Sequence, residues 1–332
     1  MPDFPWPRGS ASGVGSLPGT DIAEAQRLVF GELPDLPHLA ELPDRGPGAD
    51  MIGRSAGFLI DMPVQLYAGR WQVAPRTGKD LRRTADLLER DLDQVTEQGA
   101  GYAGPFKIQS AGPWTMAGSV DLTIGGRLLR DAGAVRDLAE SLAEGLRRHI
   151  ADVQKRLPQA SVILQLDEPS LPAVIAGRVP TESGLSAYRA VDGTDAATGL
   201  RTVAAAVGVP VLVHCCAAEV PLQVVRDAGA AAVGLDLALL DDLDPLGEAL
   251  DGGLGLFAGA VPTLPPSAGR APKPKQVAER ISTLWTRLGF PVARLPEQVV
   301  VTPACGLAGV PAAYARTALK TCREAGRRLA DV

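Results

Sequence analysis

The sequence predicts an α/β protein built as a single (β/α)8 barrel, and three observations carry that expectation. Short, largely apolar runs of the buried parallel-strand kind recur along the chain, and amphipathic helical stretches alternate with them. The alternation persists from about residue 105 to the C-terminal end, which favours a closed barrel over a doubly wound sheet. No shift in composition marks a linker, so the 332 residues are expected to form one domain, residues 1–332.

Residues 1–100 must supply the first part of that barrel, with Pro/Gly-rich loops at 31–57. Leu81, Ala85, Leu88, Leu92 and Val95 recur at helical spacing and predict a helix over 79–97. Phe106-Lys107-Ile108 then reads as a strand. Val135, Leu138, Leu142, Leu146, Ile150, Val153 and Leu157 predict a long helix over 133–157, with charges on its other side. The runs 162–166, 211–213, 231–235, 254–257 and 299–301 read as five further strands. Helices over 275–288 and about 310–329 complete the pattern. They follow Val277, Ile281, Leu284 and Leu288 in the first case and a similar apolar spacing in the second.

Composition removes several functions. Lys and Arg number 33 against 38 Asp and Glu, a net charge of −5, so no basic face for nucleic acid is expected. No run of about 18 apolar residues exists to span a membrane. Prolines in Met1-Pro2-Asp3-Phe4-Pro5-Trp6-Pro7 interrupt what a secretory signal would need, which points to the cytoplasm. Four cysteines, at 215, 216, 305 and 322, are too few for a disulfide framework and leave thiols free for metal or catalysis.

The chemistry is concentrated where strands end. The run 162–166 leads into Asp167-Glu168-Pro169, 211–213 into His214-Cys215-Cys216, 231–235 into Asp236, and 299–301 toward Cys305-Gly306. In a (β/α) barrel those ends share the face that carries active sites. On an extended segment His214 and Cys216 point to one side and Cys215 to the other. His214 and Cys216, with Cys305 from another strand end, describe a sulfur- and nitrogen-rich zinc site, and Asp236 is a candidate fourth ligand. The bland reading, buried core cysteines, suits Cys215 and Cys322 better. Asp167 is expected to hold an ammonium group or to do acid/base work. For Glu168 the plain alternative is the start of a helix, which Pro169 would favour. His149 reads as a surface residue of its helix. The stretch 12–18 fails the dinucleotide fingerprint. The Pro-rich stretch 262–275 is either a lid with cations for an anionic donor or a solvated connection.

Taken together, Gly13-Val14-Gly15-Ser16-Leu17-Pro18, Gln165-Leu166-Asp167-Glu168-Pro169, His214-Cys215-Cys216 and Pro303-Ala304-Cys305-Gly306-Leu307 resemble the catalytic C-terminal barrel of the cobalamin-independent methionine synthases. The resemblance implies zinc-dependent transfer of a methyl group to the thiol of homocysteine. It puts metal on His214, Cys216 and Cys305, and sets Asp236 where the family has a glutamate. It gives Asp167 to the amino group of homocysteine and the Val14–Ser16 turn to its carboxylate, and Glu168 is expected beside them as a further substrate-binding residue. The family's glutamate after an Asp-Met pair has no match at Asp61-Met62, and residues 258–275 hold no histidine to serve a folate leaving group. The acceptor half of the site therefore looks kept, and the donor is methyltetrahydrofolate or a methylcorrinoid protein. Full-length relatives carry two barrels, and this chain offers one. The wider superfamily leaves two alternatives: a uroporphyrinogen decarboxylase-like lyase, and a non-catalytic relic that binds zinc or homocysteine.

Overall fold

The structure, a computed structural model, describes residues 3–265 and 271–331. It contains eight named strands among those residues: β1 (Val64–Tyr67), β2 (Arg70–Val73), β3 (Gly104–Ala111), β4 (Ala160–Asp167), β5 (Val211–Cys215), β6 (Ala232–Asp236), β7 (Gly255–Val261) and β8 (Val299–Pro303). Strands β3 to β8 form one parallel sheet in chain order, and β1 and β2 form a separate antiparallel hairpin. The sheet is the α/β core the sequence predicts, curled as half of a barrel. All six predicted strands are present within it.

Residues near the N-terminus run along both free edges of this sheet. Ser12 donates its amide to the Val301 carbonyl on β8, and Val301 donates to Ser10, at 3.1 and 3.0 Å. On the other edge Leu39 donates to Lys107 on β3 and Lys107 to Pro37, both at 2.9 Å. The two edge segments meet through Leu17 donating to Glu41 and Glu41 to Gly15.

The parallel register explains what faces inward. Alternate residues of each strand share a face, and on β4 to β8 the residues Ile163, Leu212, Ala232, Phe257 and Val300 pack together with Trp6 and Leu36. Trp6 meets Phe257 edge-on, with ring centroids 5.1 Å apart. Two residues further along β4 and β5 the same face presents Gln165 and then Asp167, and His214 and then Cys216. The apolar floor thus gives way to polar and reactive groups toward the strand ends.

Helices cover the outer face. Lys79–Gln98, Ala132–Arg156 and Gly193–Val207 bury Leu92, Leu142 and Leu200 in one cluster with β3 and β4. Ile22–Glu32, Asp244–Asp251, Pro274–Arg287 and Ala312–Ala330 contribute Val29, Leu250, Ile281 and Leu319 to a second cluster over β6 to β8. The helices expected from periodicity over 79–97, 133–157, 275–288 and 310–329 are therefore present. Two long ones were not expected. Gly193–Val207 is rich in alanine and threonine, so its hydrophobic contrast is weak, although Asp192 caps it by accepting from Thr194 N at 2.8 Å. Ile22–Glu32 likewise starts at Asp21, which accepts from Glu24 N. The short helix Met51–Ala56 lies inside the stretch read as loop.

His149 corrects the sequence reading. It is buried rather than on the surface, its ring 4.5 Å from that of Phe58. Burial, then the nearby Arg54 charge, push its pKa down to about 3 and keep it neutral.

Candidate metal centre

Adjacent strands bring the reactive residues into register. Asp167 at the end of β4 lies opposite His214 on β5, and the turn after β8 delivers Cys305 to the same place. One ligand atom each from His214, Cys216 and Cys305 falls within 4.8 Å of the others. The two sulfurs are 2.8 Å apart. Gly306 allows this turn to lie against the N-terminal segment: a Cβ there would sit 2.1 Å from Ser16 Oγ. Leu307 in turn donates its amide to the Ser16 carbonyl at 2.8 Å.

The imidazole is oriented from behind. His214 Nδ1 donates to Asp167 Oδ1 at 2.8 Å, while Nε2 is buried with no hydrogen-bond partner. An orphaned buried nitrogen is costly unless something occupies it. Burial opposes a charge on this ring, but the Asp167 hydrogen bond and charge, then Cys305 and the nearby Ala304 backbone, outweigh it and raise the His214 pKa. The hydrogen bond from Cys216, and then the neighbouring His214 charge, bring the Cys305 thiol down to about 6 against the opposing effect of burial. Cys216 is pushed the other way by that same bond and by burial. The two thiols are thus shifted in opposite directions by their mutual hydrogen bond, and a bound cation would displace the proton between them. Two sulfurs, one unpartnered imidazole nitrogen and a carboxylate on the far side of the ring fit zinc with its usual outer support.

The remaining expected residues are placed as follows. Asp236 ends β6, but its carboxylate accepts from Ala238 N at 2.8 Å and it is not part of the His214, Cys216, Cys305 group. Glu168 is fully buried, and its two oxygens accept from Trp114 N, Thr115 N and Thr115 Oγ1 at 2.7 to 2.9 Å. It holds the start of the helix Pro113–Ala117 rather than opening a helix of its own. The Val14 carbonyl accepts from Lys107 Nζ and Gln165 Nε2, and Ser16 lies beside Gly306. Cys215 and Cys322 are buried and are not part of the group. In the stretch 262–275, read either as a lid or as a solvated connection, residues 266–270 lie outside the described residues.

Four site residues escaped the sequence reading. Lys107 and Gln109 on β3 and Gln165 on β4 are buried polar groups, and Glu41 packs against them. Burial raises Glu41 to about 7, Arg54 opposes that rise, and the charge of Asp167 adds to it. Burial also lowers Lys107 to about 7, against the pull of Asp167 and Glu41. The signal was available: Lys107 and Gln109, like Gln165 and Asp167, alternate within otherwise apolar runs, so each pair faces one side of its strand.

A sequence model described as "Cobalamin-independent synthase, Catalytic domain" matches residues 10–328. No curated protein matches the chain. Among solved structures, a B12-independent methionine synthase from Shewanella sp., in complex with selenomethionine, is 11% identical with a TM-score of 0.60. That match covers 97% of this chain and 98% of the other, a likeness of fold. A glycerophosphodiester phosphodiesterase from Parabacteroides distasonis is 10% identical, covering 88% and 92% of the two chains, with a TM-score of 0.32.

Proposed function

The chain belongs to the family of cobalamin-independent synthase catalytic domains, an enzyme family of methyl transfer, and from that membership we propose that it methylates the thiol of homocysteine at a zinc centre. The observation that carries the reading is the buried, unpartnered His214 Nε2 beside two thiols 2.8 Å apart. His214, Cys216 and Cys305 would hold the zinc. With three protein ligands a fourth position stays open to substrate, as in catalytic zinc sites, and Asp236 is not needed to fill it. Bound there, zinc would keep a substrate thiol ionised near neutral pH and so ready to attack a methyl carbon.

The chain's own groups then bind and orient. Asp167 uses Oδ1 for His214 and Gln165, which leaves Oδ2 for the substrate ammonium. Glu41 supplies a second carboxylate to the same charge. The turn from Val14 to Ser16 receives the substrate carboxylate. Glu168 acts behind Asp167, fixing the Pro113–Ala117 helix, and does not touch substrate. The donor is methyltetrahydrofolate or a methylcorrinoid protein. A reducing cytoplasm suits thiols that must stay reduced to hold metal.

We read the fold as one (β/α)8 barrel spanning the chain, with Ser10–Ser12 and Pro37–Leu39 as its first two strands. Support comes from their parallel bridges, Ala11 to Val301 and His38 to Lys107. The test of function is methionine formation from homocysteine by purified protein, with methyltetrahydrofolate, its polyglutamate and methylcobalamin in parallel arms. Zinc-loaded protein should turn over with at least one donor and stop on chelation. Turnover by metal-free protein, or homocysteine binding with no product from any donor, would overturn the proposal.

A further inference from the structure

We propose that Lys107, acting through Gln165, is a positioning residue that fixes the Asp167 carboxylate and holds His214 in the tautomer whose bare Nε2 faces Cys216 and Cys305. The inference concerns residues that the zinc reading does not use, and its link to metal affinity rests on that reading.

A lysine ammonium has three donors and no acceptor. All three donors of Lys107 are spent, on the Val14 carbonyl at 3.0 Å, Gln109 Oε1 at 3.2 Å and Gln165 Oε1 at 2.7 Å. The Val14 carbonyl and the Asp167 carboxylate only accept, so the Gln165 amide turns its nitrogen to them and its oxygen to Lys107, which donates to it as ammonium or as amine. The amide nitrogen is then committed to the other side, where it donates to Asp167 Oδ1 at 2.8 Å and to the Val14 carbonyl at 2.8 Å. Both of its hydrogens are used. Flipping the amide would set its oxygen against a carboxylate and a carbonyl, three acceptors with no donor between them.

Direction therefore passes along the chain of groups. A carboxylate oxygen that already accepts from Gln165 also accepts from His214 Nδ1, which must carry the ring proton. The free lone pair is left on Nε2. Lys107, Gln165, Asp167 and His214 are each less than a tenth exposed, so water does not offer substitute partners. Gln109 is oriented by the same ammonium and donates to the Leu39 carbonyl at 2.8 Å, which ties the relay to the edge segment of the sheet. Lys107 thus stands at the head of this run of hydrogen bonds and holds Gln165 against the Asp167 carboxylate, which fixes the His214 proton.

The test uses metal-free protein labelled with 15N in histidine, with the ring neutral. Only three histidines are present, and His214→Ala identifies the third signal. Long-range proton–nitrogen correlations report which ring nitrogen carries hydrogen. The unsubstituted protein should show hydrogen on Nδ1 of His214, and Lys107→Met and Gln165→Leu should each show a mixture of tautomers. Zinc affinity by competition with a chromogenic chelator should fall by about 10-fold or more in both, the usual loss when outer support of a metal-binding histidine is removed. Hydrogen on Nε2 in the unsubstituted protein overturns the proposal without any variant. An unchanged tautomer and unchanged zinc affinity in either folded variant overturns it as well. If the unsubstituted protein shows the Nδ1 tautomer and its loss in the variants but takes up no zinc, the relay stands and the metal reading fails.

Discussion

At the scale of single residues, the proposed centre rests on His214, Cys216 and Cys305, with Asp236 a strand-end carboxylate outside that group. Cys305→Ser or His214→Ala should purify with little zinc, while Asp236→Ala should keep about the zinc of the unsubstituted protein, as measured by plasma mass spectrometry. Zinc lost equally from Asp236→Ala would restore that residue as a ligand. The residues legible in the sequence were those whose chemistry is rare: a histidine and two cysteines at strand ends announce themselves by type. Lys107, Gln165 and Glu41 were less visible because nothing local shows that a lysine in an apolar run has its partners on two other segments, Val14 and Gln165. Asp236 is placed less favourably than its position in the sequence suggests. Its place at a strand end is real, but its carboxylate turns back to cap Ala238 N, a contact set by local backbone geometry.

At the scale of elements, Glu168 shows how a buried acid can serve a helix while sitting next to a reactive residue. The helix Pro113–Ala117 has no side-chain cap of its own, and the Glu168 carboxylate meets its first free amides instead. Burial raises this acid to about 7 from an ordinary 4.5, more than the bonds from Trp114 and Thr115 lower it. Because the folded pKa is the higher one, the native state binds the extra proton between these values. Stability from this group therefore falls as pH rises from about 4.5 to about 7 and is flat above, a loss of about 3 kcal/mol. His38 and His149, both lowered to about 3 by burial, raise stability over much of the same window. The Glu168 effect is therefore read as a difference: in urea midpoints of metal-free protein, Glu168→Gln should gain on the unsubstituted protein as pH rises from about 4.5 to about 7, and parallel curves would contradict the assignment. Lys107, lowered to about 7, acts only above this window and with the opposite slope. Strands and strongly amphipathic helices were legible because burial imposes a period. The Gly193–Val207 helix was not, since small side chains pack against Trp114 and its neighbours without leaving a strong apolar stripe.

At the scale of the whole molecule, the layering of an apolar floor beneath polar strand ends follows from two-residue alternation carried across parallel strands in register. Ile163, Gln165 and Asp167 on β4, and Leu212 and His214 on β5 with Cys216 just past its end, follow the same two-residue alternation. Which segments would close a barrel is not legible in the sequence, because Ser10–Ser12 and Pro37–Leu39 are too short and irregular to carry a strand pattern. If they complete a barrel, the amides of Ser12, Leu39 and Lys107 should be protected from hydrogen exchange to within about tenfold of those in β5 and β6; fast exchange confined to them would indicate an open sheet. The central claim is that two thiols and an imidazole hold a zinc with room for a substrate sulfur. Zinc-edge X-ray absorption of the purified protein measures that most directly, by counting sulfur neighbours before and after homocysteine is added. Two sulfurs per zinc rising to three is the result expected, and a count that starts without sulfur or does not change with homocysteine would contradict it.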